Sequence, residues 1–122
     1  MFDHVGFPVR DLAVSRTFYV TALAPLGIGV VVDQPEVVAF GKAGRAQFWL
    51  GGRGAAPSGV HLAFSAANRA EVRAFYDAAI AADGKDNGAP GLRPQYHPNY
   101  YGAFVLDPDG HNVEAVCRNP ED

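Results

Sequence analysis

Two histidines and one glutamate are the residues of this 122-residue chain whose types and positions could hold a metal ion. His4 and His61 each lie in a run of strand-type residues, FDHVGFPV and GVHLAFS, in which side chains alternate between two faces. Glu114 lies in the middle of a third run, Asn112–Cys117. A carboxylate in the middle of a strand either faces solvent or is costly to bury without a cation, a proton or a metal. Two imidazoles and one carboxylate form a three-ligand set that suits Fe(II), Mn, Zn, Ni or Co.

An internal repeat places the two histidines at equivalent positions. Corresponding residues of the two copies are all 57 positions apart: His4 and His61, Asp11 and Asn68, Phe18 and Phe75, and Gly27 and Gly84. The offset is constant through a strand, a helix N-cap, a helix face and a helix stop, which indicates two copies of one β-α-β-β-β unit. Within a single domain of residues 1–122, we expect module 1 at about residues 1–52, a Gly-rich linker at about 51–59 and module 2 at about 59–118.

Hydrophobic spacing and turn residues predict the remaining elements. Mostly apolar residues recur at helical spacing over residues 15–23 and 72–80, which indicates two amphipathic helices. The second module is expected to continue through a loop and three strands, at Lys85–Gly91, Leu92–Tyr96, Tyr101–Leu106 and Asn112–Cys117 in that order. The segment Asp107-Pro108-Asp109-Gly110 suits a type I turn, so the last two strands should form a hairpin.

The repeat also predicts which of these residues meet. Alternate residues of GVHLAFS form a wholly apolar face, which should pack on the helices and leave His61 on the opposite face. In a two-fold arrangement of the modules, His4 and His61 can approach the same axis. Glu114, from the last strand of the second module, could reach the same place.

These motifs resemble the vicinal oxygen chelate superfamily, which includes glyoxalase I, fosfomycin-resistance enzymes, extradiol dioxygenases and bleomycin-resistance proteins. The resemblance lies in FDHVGFPVRDLAVSRTFY, GVHLAF and FVLDPDGHNVEAV, and it covers essentially the whole chain. It implies an α+β fold in which two tandem βαβββ modules form a curved mixed sheet around a metal or ligand cleft, with the helices on the outer face. His4, His61 and Glu114 match the superfamily's metal positions, and the likeness implies a homodimer.

One departure from the superfamily pattern disfavours glyoxalase I activity itself. Glyoxalase I uses a fourth protein ligand, from the last strand of its first module. Aligning Ala39-Phe40 with Ala103-Phe104, and Gly44 with Gly110, places Phe48 opposite Glu114, and a one-residue slip places Gln47 there. Because Phe cannot bind a metal and Gln binds one only weakly, a three-ligand site is favoured.

A second group of polar and aromatic residues lies at positions 89–101, APGLRPQYHPNYY. Loops that are held by a rigid sheet often carry binding groups. His97 could act as a general acid or base, and Tyr100 or Tyr101 could donate to a substrate oxygen. Four residues are predicted substrate contacts: Arg93, Tyr96, Phe48 and Trp49. The alternative is that the tyrosines cover the sheet edge and that His97 is exposed.

Composition argues against several classes of function. A formal net charge of −3 gives no basic surface for nucleic acid or an anionic membrane, and no apolar run reaches the length of a transmembrane helix. Strand-like sequence from Phe2 leaves no room for a signal peptide, and the single cysteine, Cys117, cannot form an intrachain disulfide. A cytoplasmic location is therefore expected. His111, directly after the predicted turn, is expected to be exposed.

The leading hypothesis is an enzyme that uses one divalent ion (Zn, Mn, Ni, Co or Fe(II)) on a small substrate that binds through two neighbouring oxygens. Lyase, transferase and dioxygenase chemistries all fit, with the ion acting as a Lewis acid. The alternative is a metal-free protein that binds a small molecule or an antibiotic in the same cleft, as bleomycin-resistance proteins do.

Overall fold

The computed structural model describes residues 1–120, which form two successive units with the same order of elements. Module 1 contains β1 (Val5–Pro8), α1 (Leu12–Leu23), β2 (Gly29–Gln34), β3 (Val37–Lys42) and β4 (Arg45–Gly51), with a short 3₁₀ helix at Ala24–Leu26 after α1. Module 2 contains β5 (His61–Ser65), α2 (Arg69–Ala81), β6 (Lys85–Leu92), β7 (Tyr101–Leu106) and β8 (Asn112–Cys117). The predicted α+β fold of two βαβββ modules is confirmed.

Each module forms its own mixed four-stranded sheet, and the two sheets have equivalent strand orders. The order is β1-β4-β3-β2 in module 1 and β5-β8-β7-β6 in module 2. The first strand of each module pairs in parallel with the last strand, and all other neighbours are antiparallel. This topology places residues of β5 beside residues of β8, although paired residues such as His61 and Asn112 are 51 positions apart in the chain.

Both helices begin where the repeat predicts. The side chain of Asp11 accepts a hydrogen bond from the backbone N–H of Val14 at 3.2 Å, and that of Asn68 accepts from Glu71 at 2.8 Å. Asp and Asn are effective at this position because they satisfy an N–H that has no partner within the helix. Within residues 1–120, neither helix is long and apolar enough to span a membrane.

The two modules share one hydrophobic core. α1 and α2 pack against each other, and the core joins Phe18 and Leu50 of module 1 to Phe75 and Val105 of module 2. A Cβ atom at Gly84 would lie 2.7 Å from the Phe18 ring and 2.5 Å from the Val105 side chain, so only glycine fits between them. Since burial of apolar surface is the main stabilising term, each module depends on the other for its stability.

Two polar contacts connect the start of module 1 to the turn between β7 and β8. The hydroxyl of Tyr19 donates to Oδ2 of Asp107 at 2.5 Å, and both residues are buried. The backbone N–H of Arg10 donates to Oδ2 of Asp109 at 3.1 Å. Burial of Tyr19, reinforced by the nearby Asp107 carboxylate, raises the pKa of its phenol, so the hydroxyl keeps its proton and continues to donate.

The predicted loop at Lys85–Gly91 is wrong, because these residues belong to β6, and residues 93–100 form the connection instead. Gly88, with φ 148°, lies close over Phe104, whose ring would be 2.9 Å from a Cβ atom at this position. Two register shifts in the β6–β7 pairing absorb the irregular backbone. The Gly- and Pro-containing segment is therefore a bulged strand.

His111, which was expected to be exposed, is fully buried. Its Nδ1 accepts a hydrogen bond from the backbone N–H of Val60 at 3.2 Å, and its ring packs edge-on against Phe7 with centroids 5.2 Å apart. The imidazole therefore packs between the starts of β5 and β8 and a residue of β1. Its role is structural.

Candidate functional site

The sheet of module 2 brings His61 and Glu114 together. In the parallel β5–β8 pair, Ala63 lies beside Glu114 and His61 lies beside Asn112. Nε2 of His61 is 3.2 Å from Oε1 of Glu114, and Nδ1 is 3.1 Å from the carbonyl oxygen of Asn112. Two of the three predicted ligands therefore converge, because the last strand of the module returns to lie against the first.

The two ring nitrogens of His61 face different acceptors, which restricts where protons can lie. The carbonyl oxygen of Asn112 can only accept, so Nδ1 must carry a proton and donate it. In the neutral ring, Nε2 then turns a lone pair towards the carboxylate of Glu114, and the two atoms need a proton or a metal ion between them. A histidine that donates one nitrogen to a carbonyl and presents the other to an ion is arranged like a metal ligand. The pair fits a divalent cation.

The other carboxylate oxygen of Glu114 also has a partner. Tyr100 donates its hydroxyl to Oε2, and both side chains are buried. A Cβ atom at Gly102 would lie 3.2 Å from this oxygen and 3.2 Å from the Tyr100 ring, so glycine leaves the space that the contact occupies. The carboxylate is held on both sides, by His61 and by Tyr100.

The environment of Tyr100 keeps its phenol protonated. Burial, followed by the hydrogen bond to Glu114 and the negative charge of that carboxylate, raises the pKa of Tyr100 to about 12. The ordinary value is about 10, so at neutral pH the hydroxyl is a donor and not a base.

An open cleft of about 440 Å³ lies over this pair, and we name it the module 2 cleft. Its lining combines the imidazole–carboxylate pair with three aromatic rings and one cation: His61, Glu114, Tyr96, Tyr100, Phe104 and Arg118. The side chain of His61 is 51% exposed whereas that of Glu114 is 2% exposed, so a ligand would reach the imidazole first. The ring of Phe104 is nearly parallel to that of His61, with centroids 6.4 Å apart, and restricts its orientation.

His4, the third predicted ligand, lies apart from this pair. It precedes β1, its side chain is 61% exposed, and its Nδ1 is 2.9 Å from Oδ1 of Asp3. Across residues 1–120, no three His, Cys, Asp or Glu side chains are grouped closely enough to hold one ion. A single chain therefore brings two of the three predicted ligands together.

The residue of module 1 that corresponds to Glu114 is Trp49. Gly6 pairs with Trp49 in the first module, and Ala63, which is 57 positions after Gly6, pairs with Glu114 in the second. A Cβ atom at Gly6 would lie 2.9 Å from Cβ of Trp49, so glycine is needed where the indole packs. The predicted equivalence of Phe48 or Gln47 is wrong by one or two residues, although the absence of a carboxylate at this position stands.

Two predicted substrate contacts lie in module 1, away from the module 2 cleft. Phe48 is buried in the shared core, where its ring meets that of Tyr19 with centroids 5.0 Å apart. Trp49 is half-buried on β4. Phe48 also lines a second cleft of about 330 Å³, so its role as a substrate contact stays a prediction.

Residues 93–101 divide between the cleft and its support. Tyr96 lines the cleft and is 63% exposed. Nδ1 of His97 accepts from the backbone N–H of Asn99 at 3.0 Å, which orders the loop but leaves the ring outside the cleft lining. Tyr101 packs under the guanidinium groups of Arg69 and Arg73 on α2, with centroid distances of 5.2 and 5.9 Å. The catalytic roles predicted for His97 and Tyr101 therefore lose their geometric basis, because neither side chain faces the cleft.

Arg93 also acts as a support. Its Nη2 donates to the carbonyl oxygen of Ala89 at 2.8 Å, and its guanidinium lies 5.4 Å from the ring centroid of Phe104. The cation that lines the cleft is Arg118, which sequence analysis missed. The signal was present, since alternation along β8 continues from Glu114 through Val116 to Arg118 on one face.

Comparison with known proteins gives the same fold over the whole chain. The family model Glyoxalase/Bleomycin resistance protein/Dioxygenase superfamily matches residues 1–115. A glyoxalase/bleomycin resistance protein from Albidiferax ferrireducens T118 is 32% identical, with 98% of this chain and 99% of that chain covered and a TM-score of 0.82. No functionally curated protein sequence matches the chain significantly.

Two further solved structures share the fold at lower identity. A glyoxalase-related enzyme from Fulvimarina pelagi is 22% identical, covers 92% of this chain and 84% of its own, and gives a TM-score of 0.71. A lactoylglutathione lyase from Agrobacterium tumefaciens is 22% identical, with 95% of this chain and 91% of that chain covered, and gives a TM-score of 0.65. The chain belongs to the Glyoxalase/Bleomycin resistance protein/Dioxygenase superfamily.

Proposed function

We propose that this protein is a divalent-metal-dependent enzyme that acts on a small substrate through two neighbouring oxygens, with lyase, transferase or dioxygenase chemistry. The observation that carries the proposal is the pair of Nε2 of His61 and Oε1 of Glu114, 3.2 Å apart in an open cleft. Membership of a superfamily that contains enzymes supports it. The ion would be Zn, Mn, Ni, Co or Fe(II), the ions that an imidazole and carboxylate set suits.

The residues of the cleft would have separate roles in binding the ion and the substrate. His61 and Glu114 would hold the ion, which when bound would act as a Lewis acid on the substrate oxygens. Tyr100 would fix the carboxylate through Oε2, and because its phenol stays protonated, this hydrogen bond would persist at neutral pH. Phe104 and Tyr96 would form the apolar walls that bind the body of the substrate.

The third ligand would come from a second copy of the chain. His4 is exposed in module 1, and His61 is half exposed in module 2, so each could face the other across a homodimer interface. Dimers are common in the superfamily, which supports this arrangement. Module 1 of one copy would complete the cleft of the other, and each dimer would contain two sites.

Elemental analysis of protein loaded with each candidate ion tests the proposal. Wild-type protein should retain about one ion per chain, and Glu114→Gln and His61→Ala should each lose it while keeping the circular dichroism of the fold. His97→Ala is the matched control, because it removes an imidazole from outside the cleft lining and should retain the ion. Stoichiometric metal in both cleft variants would contradict the assignment.

A metal-free binding protein is the second candidate, and one observation favours it. Both oxygens of Glu114 have partners within the chain, so a proton between His61 and Oε1 would satisfy the buried carboxylate without an ion. The cleft would then bind a small molecule or an antibiotic through its aromatic rings and Arg118. Wild-type protein that retains none of the five ions, yet is stabilised by bleomycin or a similar ligand in a thermal-shift screen, would favour this function.

A further inference from the structure

Arg118 lies at the mouth of the module 2 cleft with an unpaired charge. Its guanidinium carbon is 5.0 Å from the centroid of the Tyr100 ring, so the group is stacked over the phenol that holds Glu114. Among residues 1–120, it forms no ion pair and no hydrogen bond. Stacking holds the planar group in place and leaves its N–H donors directed outwards.

The other arginine near the cleft differs in this respect. Arg93 donates to the carbonyl oxygen of Ala89 at 2.8 Å and lies over Phe104, so part of its donor capacity is used within β6. Three other arginines have carboxylate partners: Arg10 with Asp109, Arg53 with Glu36, and Arg16 with Asp33 at 2.6 Å. Within the described residues 1–120, Arg118 is therefore the cation that lines the cleft and has no hydrogen-bond partner for its N–H donors.

The charges of the site indicate what that ligand carries. A divalent ion beside one carboxylate leaves a net charge of about +1, and Arg118 raises it to about +2 in a site partly shielded from water. A neutral substrate would leave this charge unbalanced. An oxyanion on the substrate would balance it, and a carboxylate or phosphate matches the fork of a guanidinium.

We infer that the substrate carries a carboxylate or another oxyanion in addition to its two chelating oxygens, and that Arg118 binds this group. The inference rests on the proposed function and names its substrate class. A cleft of about 440 Å³ is of the size that accommodates small molecules. Arg118 acts on specificity, while His61 and Glu114 hold the ion.

Two probes that differ only in charge test the inference: protocatechuate, a catechol with a carboxylate, and protocatechuamide, its neutral amide. Calorimetry of the metal-loaded protein should show that protocatechuate binds about tenfold more tightly, the gain expected of one charge-assisted contact. Arg118→Met should abolish this preference and leave the affinity for the amide unchanged. Arg118→Lys should restore part of it, because the charge returns without the planar fork.

Arg53→Met, which removes the same charge from the exposed linker, should keep the full preference. The metal affinity of Arg118→Met should be no lower than that of the wild type, because the substitution removes a positive charge beside the ion, and a loss of affinity would overturn the inference by placing Arg118 in the ion site. Equal or absent binding of the two probes would also overturn it. If wild-type protein takes up no metal, the proposed function fails, and the two probes are then compared on the metal-free protein. A preference for protocatechuate that Arg118→Met abolishes would support the inference, and equal binding of the two probes would overturn it.

Discussion

The hydroxyl of Tyr100 donates a hydrogen bond to Oε2 of Glu114, and the two side chains are buried together beneath the module 2 cleft. His61 faces the other oxygen of the same carboxylate at 3.2 Å, so the orientation of Glu114 is fixed from both sides. Replacing a group that orients a metal ligand without touching the ion typically costs about 10- to 100-fold in metal affinity or activity. Tyr100 should therefore control the ion site through Glu114.

Replacing Tyr100 with Phe removes this hydrogen bond and keeps the ring. We expect the affinity for the preferred divalent ion to fall by about tenfold, within the range measured for partners of metal ligands. Calorimetric titration of the metal-free protein measures the change. Tyr96→Phe is the matched control, because Tyr96 lines the same cleft and its ring packs on Tyr100, but it is 63% exposed. Equal affinities of wild type and Tyr100→Phe would contradict the positioning role.

The titration of Tyr100 should occur well above the ordinary range. Its pKa is raised to about 12, chiefly by burial and then by Glu114, whereas an unfolded tyrosine titrates near 10. The folded state therefore holds the proton more tightly, and the resulting stabilisation is full below about pH 10 and is lost as the pH rises through about 12. The difference in tyrosinate absorbance between wild type and Tyr100→Phe, recorded in pH jumps before unfolding, should titrate near 12. A midpoint near 10 would show that the phenol is not shielded.

Tyr19→Phe should weaken the connection between the modules. The substitution leaves Oδ2 of the buried Asp107 without the donor that lies 2.5 Å away. We expect the free energy of unfolding to fall by about 1–3 kcal/mol, the usual cost of an unsatisfied buried acceptor. Urea denaturation measures it, with Tyr96→Phe as an exposed control expected to change stability by less than about 0.5 kcal/mol. An equal effect of the two substitutions would show that the Asp107 contact contributes nothing specific.

Mixed dimers should reveal whether the ion site is shared between two chains. His4→Ala and His61→Ala should each lose the ion when purified alone. In a heterodimer of the two variants, one site would lack both histidines and the other would be intact if His4 acts across the interface. Co-expression with two affinity tags should then yield about one ion per dimer. A heterodimer without metal would place all ligands within one chain.

The elements that sequence analysis predicted well are those decided by local chemistry. The caps Asp11 and Asn68 and both helices were found because a cap and an apolar helix face depend on residues within a few positions of each other. The convergence of His61 and Glu114 was predicted from the internal repeat and from the metal positions of the resembled superfamily. That prediction required the correct face of the sheet to be chosen for only two residues, His61 and Glu114.

The errors arise where one residue of register decides the face. Tyr100 and Tyr101 are adjacent, yet the first donates to Glu114 and the second packs under α2. Both matches behind the alignment, Ala39-Phe40 with Ala103-Phe104 and Gly44 with Gly110, were one residue out of register. Ala39 pairs with Trp49 as Phe104 pairs with Glu114, so Phe40 is buried in the shared core whereas Phe104 lines the cleft. A slip of one residue exchanges the two faces of a strand, and alternation alone does not reveal it.

The bond between Tyr19 and Asp107 joins residues 88 positions apart, and this affects how the chain folds during synthesis. When module 1 has left the ribosome, the acceptor for Tyr19 and the module 2 partners of Phe18 have not yet been made. The two halves have the same order of elements, but the first cannot complete the burial of its helix until the final hairpin emerges. Contacts between distant segments slow folding, so the nascent first half must remain soluble with its apolar helix face uncovered.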